Sequence, residues 1–183
     1  MKYSLFIILI SLIPYQGSAQ KIDTTSNSWG FVLNSSFNTE INAIGFAPSA
    51  SYFGGKSQFE MGVGYYPFRL KNQRIISGEF NYKYFPNGRT NKYNLFLILS
   101  CSYVNQLKKL YYPATYQYLF LSGGYGMQIS LFKGAYLGTS VNFETFTHSK
   151  RTENPYNDYI GTQNLFDTFG MNLDFRVNIG YQF

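Results

Sequence analysis

Residues 169–183 read FGMNLDFRVNIGYQF, and every second residue of this stretch is apolar. The apolar series begins at Phe169 and ends at Phe183, and the residues between its members are glycine, asparagine, aspartate, arginine and glutamine. Successive side chains of a β-strand point to opposite faces of a sheet, so this alternation predicts a strand with one apolar and one polar face. The stretch therefore predicts a β-sheet protein in which one face of the sheet meets an apolar environment.

The same alternation, bounded by turn residues, predicts seven further strands. They cover residues 29–37, 43–53, 58–68, 74–85, 93–104, 116–131 and 135–146. The connections after the second, fourth and sixth strands are short, and those after the fifth and seventh are the longest, with residues 147–164 forming a mostly polar segment. About 9–11 tilted residues suffice for a strand to cross hydrocarbon, and an even strand number is typical of membrane barrels. The predicted fold class is all-β: a closed, antiparallel, eight-stranded transmembrane barrel.

The first residues differ in character from the rest of the chain. Lys2 precedes an apolar run from Leu5 to Ile13, which is too short to cross a bilayer as a helix. Small residues then lead up to Gln20, as at the cleavage site of a secretory signal peptide. We therefore expect a signal peptide at residues 1–19 and one barrel domain at residues 20–183.

The composition indicates what the apolar face meets. Charged residues make up 13% of the chain and aromatic residues 20%, whereas ordinary soluble domains contain about 25% charged residues. A soluble barrel would need charges over about a quarter to a third of its outer surface, but the polar face here carries mostly Gly, Ser, Asn and Gln. The apolar face is therefore predicted to meet lipid, with aromatic girdles near the strand ends. The girdle residues are Tyr65, Tyr82, Tyr84, Tyr93, Tyr103, Tyr181 and Phe183.

With a signal peptide, eight alternating strands and a final Ile179-Gly180-Tyr181-Gln182-Phe183, the sequence resembles the small bacterial outer-membrane β-barrels of the OmpA/OmpX type. The resemblance implies an integral position in the bacterial outer membrane. It also implies that Ile179, Tyr181 and Phe183 form the C-terminal signal read by the barrel-assembly machinery during insertion. Barrels of this kind include structural proteins, adhesins, lipid-modifying enzymes and narrow channels, so the resemblance leaves the activity open.

The few charges on the polar face are predicted to point into the barrel. They are Glu60, Glu79, Lys83, Glu144, Asp174 and Arg176. An eight-stranded barrel has an interior just wide enough for side chains, and buried charges must be paired. We therefore expect a network of carboxylates paired with two cations in an interior filled by polar side chains. The alternative is a proton or ion path, that is, a narrow channel.

A second group of charges falls, by strand parity, at the end of the barrel with the longer connections. These cations are Arg69, Lys71, Arg74, Lys108, Lys109, Lys150 and Arg151. They are predicted to bind lipopolysaccharide phosphates or acidic surface sugars through charge-assisted hydrogen bonds; alternatively, they only keep the loops soluble. Residues 107–113 also contain aromatics, which predicts either a docking site for an envelope protein or an aromatic anchor at the membrane interface.

The only histidine, His148, precedes Ser149, with Glu153 and Asp158 nearby. A serine beside a histidine and an acid can transfer acyl groups, which makes a lipid A-modifying hydrolase the alternative function. Adjacent residues of a strand point to opposite faces, however, so the favoured interpretation is a non-enzymatic barrel with a structural, surface-interaction or envelope-assembly role. No metal or cofactor is expected. The net charge of +6 is scattered, which argues against a nucleic-acid partner.

Overall fold

The architecture is described by a computed structural model that covers residues 27–68, 72–109, 113–152 and 163–183. Eight antiparallel strands close into a barrel in chain order, with β8 pairing with β1. The strands are β1 (Ser28–Asn38), β2 (Ala43–Gly54), β3 (Ser57–Phe68), β4 (Gln73–Tyr84), β5 (Tyr93–Lys108), β6 (Ala114–Phe132), β7 (Ala135–Thr152) and β8 (Phe169–Gln182). The predicted closed eight-stranded antiparallel barrel and all eight predicted strands are confirmed.

Closure of the barrel pairs the last strand of the chain with the first. Phe31 lies opposite Tyr181, and Phe37 lies opposite Phe175. Beyond the strand, the Phe183 backbone N–H donates to the Trp29 carbonyl at 2.9 Å. An unpaired backbone group costs several kcal/mol in hydrocarbon, so a spanning sheet must close in this way.

Two ends of the barrel are distinguished by their connections. The termini end carries Ser28, Gln182 and the turns β2–β3, β4–β5 and β6–β7. The loop end carries the other four connections, among them residues 39–42 between β1 and β2. The chain makes a two-residue turn at the termini end between β6 and β7, where Gly134 adopts a φ of 87° and its carbonyl accepts the Gln182 N–H at 2.9 Å. Glycine adopts this left-handed conformation without the steric penalty of other residues.

The wall formed by β5, β6 and β7 rises further at the loop end than the sequence pattern predicted. The fifth and seventh strands were expected to end at residues 104 and 146, but the ladder continues to Lys108 and Thr152. Residues 147–152 pair in unbroken register with residues 114–119 of β6. Polar side chains occupy both faces of this extension, so it shows no alternation, although its backbone pairs like the rest of the sheet. His148, Ser149 and Lys150 therefore lie in a strand, and the prediction of a polar loop starting at residue 147 was wrong.

The outer wall of the barrel is apolar up to the polar extension at the loop end. Met61, Leu95 and Phe143 are 67%, 62% and 67% exposed. Every residue assigned to the aromatic girdles points outward, and some of their rings contact neighbours on the wall, as Tyr181 and Phe183 do at 5.5 Å between centroids. In the part of the chain that the structure describes, no helix is long and apolar enough to cross a membrane.

The interior is layered along the barrel axis. A middle layer holds the charges of the strands, and each end holds an apolar cluster together with a few buried polar side chains such as Gln106 and Arg89. We call the cluster of Ile41, Ala43, Tyr66, Ile75, Val104, Tyr118, Phe120 and Phe146 the loop-end plug. We call the clusters of Val32, Phe53 and Tyr136 and of Phe85, Phe96 and Ile98 the termini-end plug. The interior was predicted to be filled by polar side chains, and this is correct only for its middle, because rings from both ends of the strands also turn inward.

Candidate functional site

Glu60 is the centre of the first buried network. Its carboxylate accepts hydrogen bonds from Lys83 Nζ at 2.5 Å and from Gln58 Nε2 at 2.7 Å. The amides of Asn34 and Asn81 donate to its second oxygen at 3.1 and 3.3 Å. Glu60 and Lys83 are each 1% exposed. A buried ion pair is stable only when its remaining hydrogen-bonding capacity is satisfied, and these amides provide that.

Arg176 organises the second network, one layer closer to the loop end. Its Nε donates to Asp174, and its Nη1 donates to Asn81 Oδ1 at 2.7 Å and to Ser100 Oγ at 3.1 Å. The same Nη1 lies 3.9 Å from Glu79 Oε2. Asn81 contacts both Glu60 and Arg176, so its amide joins the two networks into one charged layer that crosses the barrel.

Glu144 forms the loop-end edge of the charged layer and makes no ion pair with a cation in the described part of the chain. Asn38 Nδ2 donates to it at 2.7 Å and Asn172 Nδ2 at 3.4 Å. The Asn38 side-chain oxygen in turn accepts the backbone N–H groups of Glu40 and Ile41, at 2.9 and 3.1 Å. The β1–β2 connection is thereby anchored to the interior, and Ile41 is held in the loop-end plug.

The described residues enclose a small cavity inside the barrel. A cavity of about 10 Å³ lies at the junction of the charged layer and the loop-end plug, next to Tyr66, Glu79 and Arg176. This is about the space needed for one water molecule. The arrangement suits a packed interior with local hydration better than a continuous path for ions.

Arg89 closes the termini end from the β4–β5 turn. Its guanidinium carbon lies 4.6 Å from the centre of the Phe53 ring. Its Nε donates to the Gly55 carbonyl at 3.1 Å, and its Nη1 donates to Gln182 Oε1 at 3.4 Å. Arg89 is only 3% exposed, and burial lowers the pKa of its guanidinium. This side chain ties two turns and the last strand together across the barrel mouth.

The predicted group of loop-end cations divides into two sets that point in opposite directions. Arg74 and Arg151 occupy outward positions of β4 and β7 and are exposed. Lys109 directly follows β5 and is also exposed. Lys108 and Lys150 occupy inward positions of β5 and β7. Strand parity had placed all seven cations at one end but not on two faces, because the strand extensions were not foreseen.

The two inward lysines meet at Tyr116, on the inner face of β6. Lys108 Nζ lies 4.4 Å from the centre of the Tyr116 ring, and Lys150 Nζ lies 6.0 Å from it. Tyr116 packs on the loop-end plug and is half-buried, so its ring stands where the plug meets the mouth of the barrel. We call Lys108, Tyr116 and Lys150 the mouth triad.

His148 and Ser149 lie next to each other in β7 but take part in different contacts. The His148 ring packs against Tyr118 on the inner face, with centroids 5.5 Å apart, and its Nε2 lies 3.0 Å from Gln163 Oε1. Ser149 Oγ donates instead to Gln117 Oε1 at 3.3 Å. The described residues therefore do not bring the two side chains together as the dyad that acyl transfer needs.

Several predicted features lie outside the described residues. These are the signal peptide at 1–19, the cations Arg69 and Lys71, the centre of the 107–113 segment, and the acids Glu153 and Asp158. Among the described residues, no group of three His, Cys, Asp or Glu side chains could hold a metal ion. The three residues of the proposed assembly signal lie on the outer wall, with Phe183 77% exposed.

Sequence reasoning found the six charges of the middle layer, and the structure places all of them inside the barrel. It predicted Asn and Gln side chains on the same inward face but did not single out Asn34, Asn81 and Asn142, which complete the layer. It also missed Arg89, because this residue lies in a turn, where no alternation shows which way a side chain points. Tyr116 was missed because only the sheet register places its ring beside the two lysines.

Three solved structures are similar to this fold. The N-terminal β-barrel domain of OprF from Pseudomonas aeruginosa superposes with a TM-score of 0.60 at 10% identity, over 85% of this chain and 97% of that one. A major outer membrane protein from Thermus thermophilus gives 0.56 at 12% identity, over 86% and 100%. Neisserial surface protein A gives 0.53 at 12% identity, over 86% and 96%. No protein-family model and no curated protein sequence matches the chain.

At these identities the similarity shows the fold. The predicted resemblance to small outer-membrane barrels is confirmed at that level, since the chain and its structural neighbours share a closed eight-stranded antiparallel barrel of outer-membrane type. The predicted outer-membrane location agrees with these neighbours and with the apolar outer wall. In architecture, therefore, this chain is a closed eight-stranded antiparallel β-barrel, the fold of these outer-membrane proteins.

Proposed function

We propose that the protein is an integral barrel of the bacterial outer membrane with a structural and surface-binding role. This proposal rests on the contrast between the outer wall of the barrel and its interior. The outer wall exposes large apolar side chains such as Met61 and Phe143, which need hydrocarbon around them. The interior is filled by paired charges and two apolar plugs around a cavity of about 10 Å³. A filled interior supports a structural role better than a transport role.

The outward cations at the loop end give this role a chemical partner. Arg74, Lys109 and Arg151 are exposed at the height where the apolar wall ends. Phosphate groups accept charge-assisted hydrogen bonds from such side chains, so these residues would bind lipopolysaccharide around the barrel. An envelope protein docking near residues 107–113 would extend the same role.

The last strand would serve insertion. Ile179, Tyr181 and Phe183 form one outward row at its end, accessible before the barrel closes. We propose that the barrel-assembly machinery reads this row. A Phe183→Ser variant should accumulate outside the membrane, whereas Gln182→Ser, one position away on the inner face, should not; equal insertion of both variants would contradict the role of the row.

Membrane extraction tests the main proposal. The protein should stay in the membrane pellet after washes with high salt and with urea, and should be released only by detergent. An unheated sample should also migrate differently from a boiled one on a denaturing gel, because a closed barrel resists unfolding by the gel detergent. Release by salt or urea would overturn the integral location.

The two alternative functions have their own tests. A hydrolase would change the mass of lipid A, and the change would disappear in His148→Ala; equal lipid A masses with and without the protein would end that idea. A channel would give discrete conductance steps in a planar bilayer. We expect no steps, because both plugs and the charged layer would have to move before ions could pass.

A further inference from the structure

The side chains of the mouth triad differ in direction from the other basic residues at the loop end. In the sheet register Lys150 lies directly opposite Tyr116, and Lys108 lies one diagonal step away on the other side. All three side chains lie on the inner face, so they face the barrel axis at the loop end. A lipid on the outer wall meets Arg151 instead, which is the next residue of β7 but points the other way.

The two lysines also differ from the cations of the charged layer in their partners. Lys83 and Arg176 each contact a carboxylate. Within residues 27–68, 72–109, 113–152 and 163–183, neither Lys108 nor Lys150 forms an ion pair, and both ammonium groups lie within 6.0 Å of the centre of one tyrosine ring. Like charges held around one ring repel each other, and an anion bound between them would relieve that repulsion.

The Tyr116 ring is held rigidly in place from below. It stacks on Tyr118 with 6.2 Å between centroids and 14° between planes. Tyr118 stacks on Phe120 at 5.6 Å and 16°. Phe146 packs against the side of this column, 5.5 Å from Phe120. The half-buried top ring is therefore fixed in position, and the Lys108 ammonium lies over it; a ligand with an apolar face of its own would take the place of that ammonium.

Taken together, a fixed aromatic ring beside two ammonium groups that have no carboxylate partner among the described residues matches a ligand that has a flat apolar face and an anionic group at its edge. We propose that the mouth triad binds an acidic saccharide. Its carboxylate or phosphate would draw the Lys108 ammonium off the Tyr116 ring and lie between Lys108 and Lys150, and the sugar ring would stack on Tyr116 in the place of that ammonium. The proposal rests on the proposed function in one respect, namely that the loop end faces the cell exterior. The ligand enters from solution along the barrel axis, and is distinct from the lipopolysaccharide proposed around the outer wall.

Calorimetric titration of the folded protein in detergent micelles tests this site. The probe is tetragalacturonic acid, with maltotetraose as the uncharged saccharide and inorganic phosphate as the anion without a sugar ring. Tetragalacturonic acid should bind, and the other two should bind at least roughly tenfold more weakly, since each lacks one half of the recognition. No binding of tetragalacturonic acid, or equal binding of phosphate, would overturn the proposal.

A pair of neighbouring variants separates the two faces of β7. Lys150→Gln should weaken tetragalacturonic acid binding roughly tenfold or more, whereas Arg151→Gln should leave it unchanged while removing the same charge. Tyr116→Leu should weaken it as well, and Tyr116→Phe should not. Equal losses in Lys150→Gln and Arg151→Gln would show that only net charge matters, and would overturn the site. The unheated gel mobility of each variant reports the barrel itself, so failure of the fold is distinguished from failure of the site.

Discussion

The middle of the barrel interior and its two ends are enclosed by the same eight strands, yet they are filled by opposite chemistry. The charged layer holds Glu60, Lys83 and Arg176 at 5% exposure or less. The plugs above and below it hold aromatic and aliphatic side chains. The plugs keep water from reaching the charges, and without water each charge depends on its protein partners. We infer from this difference that the plugs determine how much free energy of unfolding is lost when an ion pair is broken.

Removal of Arg176, the central cation, should lower the free energy of unfolding more than any other substitution in this series. Arg176→Met leaves Asp174 and Glu79 as buried carboxylates without their cation, so the free energy of unfolding should fall by about 3–5 kcal/mol. Denaturant titration in micelles, followed by the fluorescence of the single tryptophan, Trp29, measures it. The control is Arg151→Met, an exposed arginine on the outer face, which should change stability by less than about 0.5 kcal/mol. Similar losses in both variants would show that the layer is not sealed from water.

A substitution that opens the loop-end plug should lower the free energy of unfolding by a somewhat smaller amount. Phe120 is 1% exposed and packs between Tyr118 and Phe146. Phe120→Ala should cost about 3 kcal/mol, at the lower end for this substitution, because the neighbouring rings can move towards the space left behind.

The same variant also tests the link between plug and charged layer. Water admitted through the opened plug would solvate Asp174 and Glu79, so Arg176→Met should cost less in the Phe120→Ala background than in the native protein. A double-mutant cycle measures this coupling. Strict additivity of the two substitutions would contradict the idea that the plug determines the cost of the charges.

The pair near the termini end allows a cleaner test of pairing itself. Lys83→Met alone leaves Glu60 buried without its cation and should cost about 3 kcal/mol. Adding Glu60→Gln removes the stranded charge while keeping an acceptor for the amides of Asn34 and Asn81, so the double variant should be more stable than Lys83→Met. Unfolding titrations of the three variants give the comparison. A double variant less stable than the single one would show that the surrounding amides, and not the ion pair, hold this region.

The outer wall could be predicted from the sequence and the plugs could not, for one physical reason. Outward residues meet a uniform solvent, so the lipid face is apolar at nearly every position and the alternation is visible. The interior changes from apolar to charged and back within one strand length. Phe96 and Ile98 turn inward into the termini-end plug, while their outward neighbours are also apolar, so that the pattern of β5 looks blurred in the sequence.

The candidate sites follow the same rule. The buried charges could be predicted because most of them stand between two apolar residues in a strand. When those neighbours point to the outer wall, the charged side chain between them must point into the barrel. The mouth triad could not be predicted, because its two lysines lie in strand extensions that have polar residues on both faces. Only the register shows that Lys150 and Tyr116 are opposite each other. The direction of Arg89 depends on three separate segments meeting at the barrel mouth, which no local pattern contains.

Loss of the Arg89 contacts that close the termini end should lower the free energy of unfolding least of all the substitutions in this series. Arg89→Met keeps most of the aliphatic stem over Phe53 but removes the cation–π contact and the hydrogen bonds to Gly55 and Gln182. Desolvation of the guanidinium offsets part of what these contacts contribute, so a loss of about 1 kcal/mol is expected in the unfolding titration. The matched control is Lys56→Met, since Lys56 donates to the Pro86 carbonyl at 2.8 Å from an exposed position of the same barrel end. It should cost less than about 0.5 kcal/mol. If Arg89→Met proved as harmless as the control, the termini end would be held by its apolar plug alone, and the apolar ends of the interior would need no polar closure.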